Sequence, residues 1–258
     1  MSIDMGVYVF LFGIVFGSYY SVIAYRVPIG MSMIKGRSMC ETCRHTLHAK
    51  DLVPIFSWLF LRGRCRYCGA KIPPRYPVVE LITGCLFVFA YLREGYSAGL
   101  FLYAAFWSML IVVTLMDYDH MIISEIVLLS FTLICAACLV WMKADILDHL
   151  LGCAVGFGAY LIIFLIAKAV YKKEAFGFGD VELMASIGLI LGLRGSVETV
   201  FLSFYVALMG VIIMKILGKA VKRKMEMPFG PYMCVAAFLV SLYGQPIYDA
   251  YLRLILGK

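Results

Sequence analysis

Long apolar runs separated by short polar breaks fill most of this chain. They lie at about residues 7–25, 78–96, 98–117, 121–142, 147–170, 180–193, 196–217 and 231–252, and the one at 180–193 is the shortest. A helix needs about 20 predominantly apolar residues to cross a bilayer. The pattern therefore predicts an all-α polytopic membrane protein with about eight transmembrane helices. The first run contains Gly17-Ser18 and is followed by Arg26. It lacks the positive n-region and small-residue cleavage site of a secretory signal, so it reads as a retained span.

One long segment breaks the pattern. Residues 26–77 are polar, basic and interrupted by proline. The expected organisation is a first transmembrane helix at 1–25, a cytoplasmic loop domain at 26–77 and a membrane domain at 78–258.

Composition sharpens the membrane reading. Of the 258 residues, 63% are hydrophobic and only 15% charged, with a mean hydropathy of +0.92. A soluble domain is near half apolar and about a quarter charged. The net charge of +7 raises nucleic acid or lipid as partners, but its distribution points to topology. Ten Lys and Arg lie between Arg26 and Arg75. With eight spans, Lys168, Lys172, Lys173, Lys215, Lys219, Lys222, Arg223 and Lys224 join them on one side, and Arg93, Lys143, Arg194, Arg253 and Lys258 fall on the other. The positive-inside rule makes the rich side cytoplasmic, which turns both termini outward and leaves no nucleic-acid role for the charge.

That count puts two acids at one level. Asp117 closes an apolar run and Asp180 opens another, and both fall at the cytoplasmic end of their spans. An ionisable residue at membrane depth is costly and marks a functional site by default. Two carboxyls that meet share one proton and activate water. Their bland alternative is capping at a helix end, for which Asp is well suited. Asp119 and His120 read as residues of an aqueous turn. Gly177 and Gly179 flank Phe178 just before Asp180, and paired glycines allow close backbone approach or a sharp bend. Other hydrolase signatures are missing. The chain has no His-Glu-x-x-His, no Gly-x-Ser-x-Gly, and no phosphate-binding glycine loop.

The loop carries separate chemistry. Cys40-Glu41-Thr42-Cys43 and Cys65-Arg66-Tyr67-Cys68 are two Cys-x-x-Cys knuckles, a spacing that suits four thiolates on tetrahedral Zn²⁺. Disulfides or free thiols are the alternative, and a reducing cytoplasm disfavours the first. Four protein ligands leave no open position, so such a metal is structural. Cys85, Cys135, Cys138, Cys153 and Cys234 sit in apolar runs and read as small buried apolar residues. Ile55 to Leu61 is a short apolar run, either a packed element or an interfacial segment. Glu80 and Arg75 suit a local ion pair.

Taken in order, these residues resemble the type IV prepilin peptidase family, the bifunctional leader peptidase/N-methyltransferases. The likeness runs from Gly17-Ser18 through Tyr25-Arg26-Val27-Pro28, the two knuckles, Pro54-Ile55-Phe56-Ser57-Trp58-Leu59 and Arg75-Tyr76-Pro77-Val78-Val79-Glu80. It continues to Asp117-Tyr118-Asp119, Gly177-Phe178-Gly179-Asp180 and Pro228-Phe229-Gly230-Pro231. The short start looks most similar to competence-pilus peptidases of Gram-positive bacteria. The resemblance implies an aspartyl intramembrane protease of the Gly-x-Gly-Asp type, with Asp117 and Asp180 as its acids. It further implies removal of a short basic leader from prepilins or pseudopilins, typically after glycine, at the cytoplasmic face of the bacterial inner membrane. Methylation of the new N-terminus by S-adenosylmethionine would follow, with Gly63, Arg75 and Glu80 as the candidate region. Pilus or competence assembly machinery is an implied partner beside the lipid bilayer. Two positions depart from the family pattern: Ser124 stands where proline is usual and Glu182 where lysine is common.

Two other classes use the same residues. A proton-coupled transporter would carry protons on the two acids, and it is expected to show internal repeats, which the chain lacks on reading. A non-catalytic zinc-bearing assembly factor would need the four loop cysteines and tolerate Asp→Asn.

Overall fold

In hydrocarbon every backbone N–H and C=O must be satisfied within the chain, which leaves the helix as the natural form of each apolar run. The computed structural model of the protein is accordingly all-α. It describes residues 3–171, 177–218 and 228–256, with side chains for 4–170, 177–218 and 228–244. The helices are α1 (Ile3–Arg26), α2 (Phe56–Phe60), α3 (Arg75–Glu94), α4 (Ala98–His120), α5 (Glu125–Trp141), α6 (Ile146–Tyr171), α7 (Phe178–Ile216) and α8 (Gly230–Leu256). Lys172, Lys173, Phe176, the basic residues from Lys219 to Lys224, and Lys258 lie outside the described residues.

The expected count of eight crossings is corrected. Among the described residues five helices are long and apolar enough to cross a membrane: α1, α3, α4, α6 and α7. Helix α5 has only 17 residues, and of the 27 residues of α8 only Gly230–Gly244 have described side chains and enter the count. The sixth and seventh expected spans fall within the single element α7, whose backbone turns at Gly192 (φ 76°, ψ −179°). The arm before this turn is too short for a hydrocarbon core of about 30 Å. The outward placement of both termini, which depended on eight alternating crossings, falls with that count.

Two further parts of the expected fold class are corrected. The cysteine segment is not a domain of its own, because it clusters with α1 and α3 in one compact unit, Met1–Ala104. The glycines before Asp180 do not form an open loop: Gly177 is the N-cap of α7, and Phe178, Gly179 and Asp180 make its first turn. This does not support the Gly-x-Gly-Asp loop architecture as a fold type.

In the first unit, α1 packs on α3 through small residues. A Cβ at Gly17 would stand 2.8 Å from the Cα of Glu80, and one at Gly13 the same distance from that of Gly84. Without a hydrophobic drive between helices in lipid, such close approach supplies the packing. Arg26, at the end of α1, is buried. Its guanidinium donates to the carbonyls of Ser32, Lys35, Gly36 and Arg37 and so fixes the loop that leaves the helix.

The second unit, Ala105–Lys258, is built on the same device. Gly152 of α6 meets Gly188 of α7 backbone to backbone, and a Cβ on either would collide with the other's carbonyl. A Cβ at Gly188 would also lie 3.0 Å from Ser196 Oγ. Eight residues along a straight helix span about 12 Å, so the two arms of α7 fold back on each other at Gly192. His149 Nδ1 lies 2.8 Å from the Leu189 carbonyl next to this turn. Beyond it Arg194 pairs with Glu198 at 2.9 Å and donates to the Gly244 carbonyl of α8. The core between these helices includes the fully buried Trp107, Met109, Met116, Leu183, Met184 and Met233. Within it Trp107 Nε1 donates to Ser241 Oγ at 3.0 Å, and the Tyr160 and Ser203 hydroxyls lie 2.7 Å apart.

The glycine contact carries a prediction. Gly152→Val or Gly188→Val should destabilise the protein by about 3 kcal/mol or more through forced separation of α6 and α7. Gly158→Ala, where a Cβ meets nothing within 4 Å, should stay within about 0.5 kcal/mol of the parent. Thermal unfolding in detergent compares the three.

Candidate active site and metal centre

Asp117 stands in the last turn of α4 and Asp180 in the first turn of α7. Both are buried, at 6% and 7% exposure. Neighbouring Asp119 is exposed, which separates it from Asp117. The charge of Asp117 acts on Asp180 through space, and the buried Cys234 of α8 lies close enough to feel both.

Local structure explains the convergence. The chain turns at Met121, whose N–H bonds back to the Asp117 carbonyl at 2.9 Å, with φ 53°. Ile123 of this turn lies against the start of α7, where a Cβ at Gly179 would come within 3.0 Å of the Ile123 Cβ. The second glycine of the motif thus brings the first turn of α7 down onto the segment that follows Asp117. Phe178 points away and packs edge-on against Phe164 of α6, with ring centroids 5.8 Å apart.

The third contribution was not expected. The N–H of Gly230, at the start of α8, donates to Asp117 Oδ2 at 2.9 Å. A Cβ at Gly230 would lie 2.6 Å from that oxygen, so any side chain there would push the carboxyl from its position. Pro231 follows within the first turn, where its missing N–H costs nothing. The sequence marks a helix start at Gly230-Pro231 but gives no sign that its amide faces Asp117. Tyr160, near enough to Asp180 to feel its charge, likewise carried no sequence signal.

In the first unit the four loop cysteines converge. The Sγ atoms of Cys40, Cys43, Cys65 and Cys68 all lie within 4.8 Å of one another, and those of Cys40 and Cys68 are 3.8 Å apart. A tetrahedral site with metal–sulfur bonds of about 2.3 Å has edges of about 3.8 Å. None of the nine cysteines forms a disulfide. The two knuckles share one backbone pattern. Cys40 N–H donates to His45 O and Arg44 N–H to Cys40 O; Cys65 N–H donates to Ala70 O and Gly69 N–H to Cys65 O. Arg44 (φ 59°) and Gly69 (φ 71°) take the left-handed conformation that this turn needs. A donor set of four thiols in this geometry fits a tetrahedral metal ion. The thiols differ in acidity. The N–H of Cys43 is the main influence that holds Cys40 down at about 7. Cys68 receives a hydrogen bond from Ala70, yet burial and the adjoining sulfurs push it up to about 12.

Asp51 clamps the second knuckle. Its carboxylate accepts hydrogen bonds from Arg66 Nε at 2.7 Å, Tyr67 Oη at 2.9 Å and the His48 N–H at 3.1 Å. The first knuckle is held through Glu41, which accepts from Tyr76 Oη of α3 at 3.1 Å.

The residues expected at a methyl-donor site each meet a close neighbour. Gly63 (φ 67°) lies against Trp58, which would sit 2.9 Å from any Cβ there. Glu80 is buried and accepts the Ile55 N–H at 2.6 Å. The guanidinium of Arg75 lies over the Tyr76 ring, 5.2 Å from its centroid.

Residues 11–94 match the family model described as the bacterial peptidase A24 N-terminal domain. Residues 104–214 match that of the type IV leader peptidase family. A prepilin leader peptidase/N-methyltransferase of Bacillus subtilis (strain 168) is 36% identical over 96% of this chain and 98% of its own length. The chain belongs to the prepilin leader peptidase/N-methyltransferase family. Members from Myxococcus xanthus (strain DK1622), 34% identical over 84% of this chain and 65% of the relative, and Aeromonas hydrophila, 30% identical over 95% and 92%, carry the same name. The match thus extends broadly across bacteria and is not specific to a competence type. No solved structure gives a significant match. Like other members of its family, the chain is a membrane enzyme. The boundary between the two family models falls where the chain divides into its two compact units.

The Asp51 clamp gives a pH prediction. Burial alone would raise this carboxyl, but the hydrogen bonds from Arg66, His48 and Tyr67 outweigh it and hold it below its ordinary value. A lowered native value means stability that is present above the ordinary carboxylate range and lost as pH falls through the native one. Because Arg66 is 40% exposed, solvent screening limits the clamp to about 1 kcal/mol. Asp51→Asn should raise amide hydrogen exchange across residues 64–72 at neutral pH about fivefold, and at pH 3 the difference from the parent should shrink.

Proposed function

We propose that the protein is an aspartyl endopeptidase whose catalytic acids are Asp117 and Asp180, and that it removes the leader of prepilins or pseudopilins. The observation that carries this reading is the pair of buried carboxyls, held from three helices, in a chain of this family. With one proton between the two acids, the ionised one takes a proton from water as the water oxygen attacks the scissile carbonyl. The protonated one donates to the developing oxyanion; as the resulting diol collapses it takes a proton back, while the other acid passes the proton it took from water to the leaving amine, which restores one proton to the pair. Gly230 N–H fixes the rotamer of Asp117 and occupies one of its oxygens, leaving the other for water.

The site faces the cytoplasm in this reading. Two crossings, α3 and α4, separate the basic segment Arg26–Arg75 from Asp117, and positive charge marks the cytoplasmic side. The bound metal is a structural zinc held by Cys40, Cys43, Cys65 and Cys68, because thiolate donors and a closed tetrahedron suit that ion. The narrower likeness to competence-pilus peptidases of Gram-positive bacteria, with a pilus assembly apparatus as partner, rests on the Gly17-Ser18-Tyr19-Tyr20 start alone. Methylation of the new N-terminus by S-adenosylmethionine follows from the family. Gly63 and Glu80 are taken up by Trp58 and Ile55, so they serve the methyl-transfer region by holding its backbone. The exposed Arg75 is the group suited to an anionic part of the donor.

Purified protein, a prepilin and mass spectrometry of the product N-terminus test the reading. Asp117→Asn and Asp180→Asn should each lower cleavage by at least about 10³-fold, while Asp119→Asn retains it. Full activity in either of the first two sinks the dyad. Gly230→Ala should lower cleavage more than about tenfold with folding intact. Elemental analysis should give one zinc per chain, lost in Cys65→Ser. Glu80→Gln should cleave normally and methylate poorly; normal methylation removes Glu80 from that role.

A further inference from the structure

The short helix α2 is held at an unusual level. Its N-cap residue, Ile55, adopts φ 61°, costly for a β-branched side chain. Its N–H is captured by Glu80 Oε2 at 2.6 Å. Glu80 lies inside the transmembrane helix α3, about 7 Å along the axis from its first residue, and its Cα lies against Gly17 in the middle of α1. Around this level the outward side chains of α3 are Val78, Leu81 and Ile82, each about half-exposed, so the surrounding medium there is hydrocarbon. Helix α2 is therefore tied, through Glu80, to the first turns of a helix whose outer face is in hydrocarbon at that level.

Its free face matches that medium. Phe56, Leu59 and Phe60, at i, i+3 and i+4, are 48%, 56% and 84% exposed. The opposite side is engaged, with Ser57 Oγ donating to the Lys50 carbonyl and Trp58 Nε1 to that of Ile72. The flanks are cationic, for Lys50, Arg62 and Arg64 are all exposed. The nearest acid in sequence, Asp51, is consumed by Arg66 and Tyr67.

We infer that α2 is a membrane-interface anchor. Phe56, Leu59 and Phe60 insert among acyl chains, while Lys50, Arg62 and Arg64 bind the phosphates of anionic phospholipids, so that the cysteine-bearing segment is held flat against the bilayer. Interfacial helices combine an apolar face with basic flanks in this way, and juxtamembrane cations favour anionic lipid. The occupant of the face is lipid rather than the apolar helix of a protein substrate, because hydrocarbon already surrounds it at that depth.

Photo-crosslinking in the full-length protein tests this independently of the peptidase reading. A photoreactive phenylalanine replaces Phe60 and, as a control on the exposed tip of the first knuckle, Thr42. Each protein is placed in vesicles of phosphatidylcholine with or without phosphatidylglycerol, and adducts are read by mass, with and without a prepilin. The expected result is phospholipid adducts at position 60 about fivefold above those at 42, enriched in phosphatidylglycerol. Lys50→Gln with Arg62→Gln and Arg64→Gln should lower that enrichment about fivefold and leave adduct formation with phosphatidylcholine intact. Equal yields at 60 and 42, no enrichment in the anionic lipid, or adducts of prepilin mass in place of lipid each overturn the inference. None of these outcomes depends on cleavage, so a failed dyad and a failed anchor remain distinguishable.

Discussion

The hydrogen bond from Gly230 to Asp117 organises the second unit around its two buried acids. A carboxyl at the edge of hydrocarbon is expensive unless its oxygens find donors. One backbone N–H, presented at a helix start where a side chain would crowd the carboxyl, satisfies one oxygen and sets its direction. Two glycine contacts bring Asp180 to it. Gly179 lowers the first turn of α7 onto Ile123, and the glycine seam between α6 and α7 holds that turn in place. The site is thus assembled at helix ends, where backbone groups are still available for partners.

The first unit relies on a parallel constraint. Its two knuckles are short turns with almost no apolar interior, and such segments need a metal or side-chain clamps to hold one shape. Four convergent thiols form a donor set suited to the first, and Asp51, Glu41 and Arg26 provide the second. Glu80 links this segment to the helices. Its Cα packs against Gly17 of α1 while its carboxylate holds the backbone of Ile55. One buried acid therefore joins a helix pair to the loop that carries the cysteines.

Much of this was legible in residue order. Apolar runs gave the helices, since lipid leaves the chain few alternatives. Paired Cys-x-x-Cys motifs gave the sulfur cluster, because knuckle geometry is local and repeats. The isolation of Asp117 and Asp180 at the ends of apolar runs marked them, and burial separates Asp117 from Asp119. The count of crossings was not legible. Hydropathy cannot distinguish two spans from one element that folds back at Gly192, and it overrates runs such as α5 that fall short of the bilayer. The glycines before Asp180 suggested an open loop, whereas their lack of side chains serves helix packing. Gly230 escaped notice because a backbone amide has no signature of its own; only its distant acceptor gives it a role. The expected pairing of Glu80 with Arg75 gave way to a backbone hydrogen bond for a similar reason.

The central claim is that Asp117 and Asp180 act as one unit. A double-mutant cycle tests it most directly, with single-turnover cleavage of a prepilin by Asp117→Asn, Asp180→Asn and the combined variant. Groups that act together are non-additive, so removing either should cost as much as removing both. The account predicts that all three variants fall to the same residual rate. Effects of the two single changes that multiply in the double variant, or cleavage that survives either one, would contradict it.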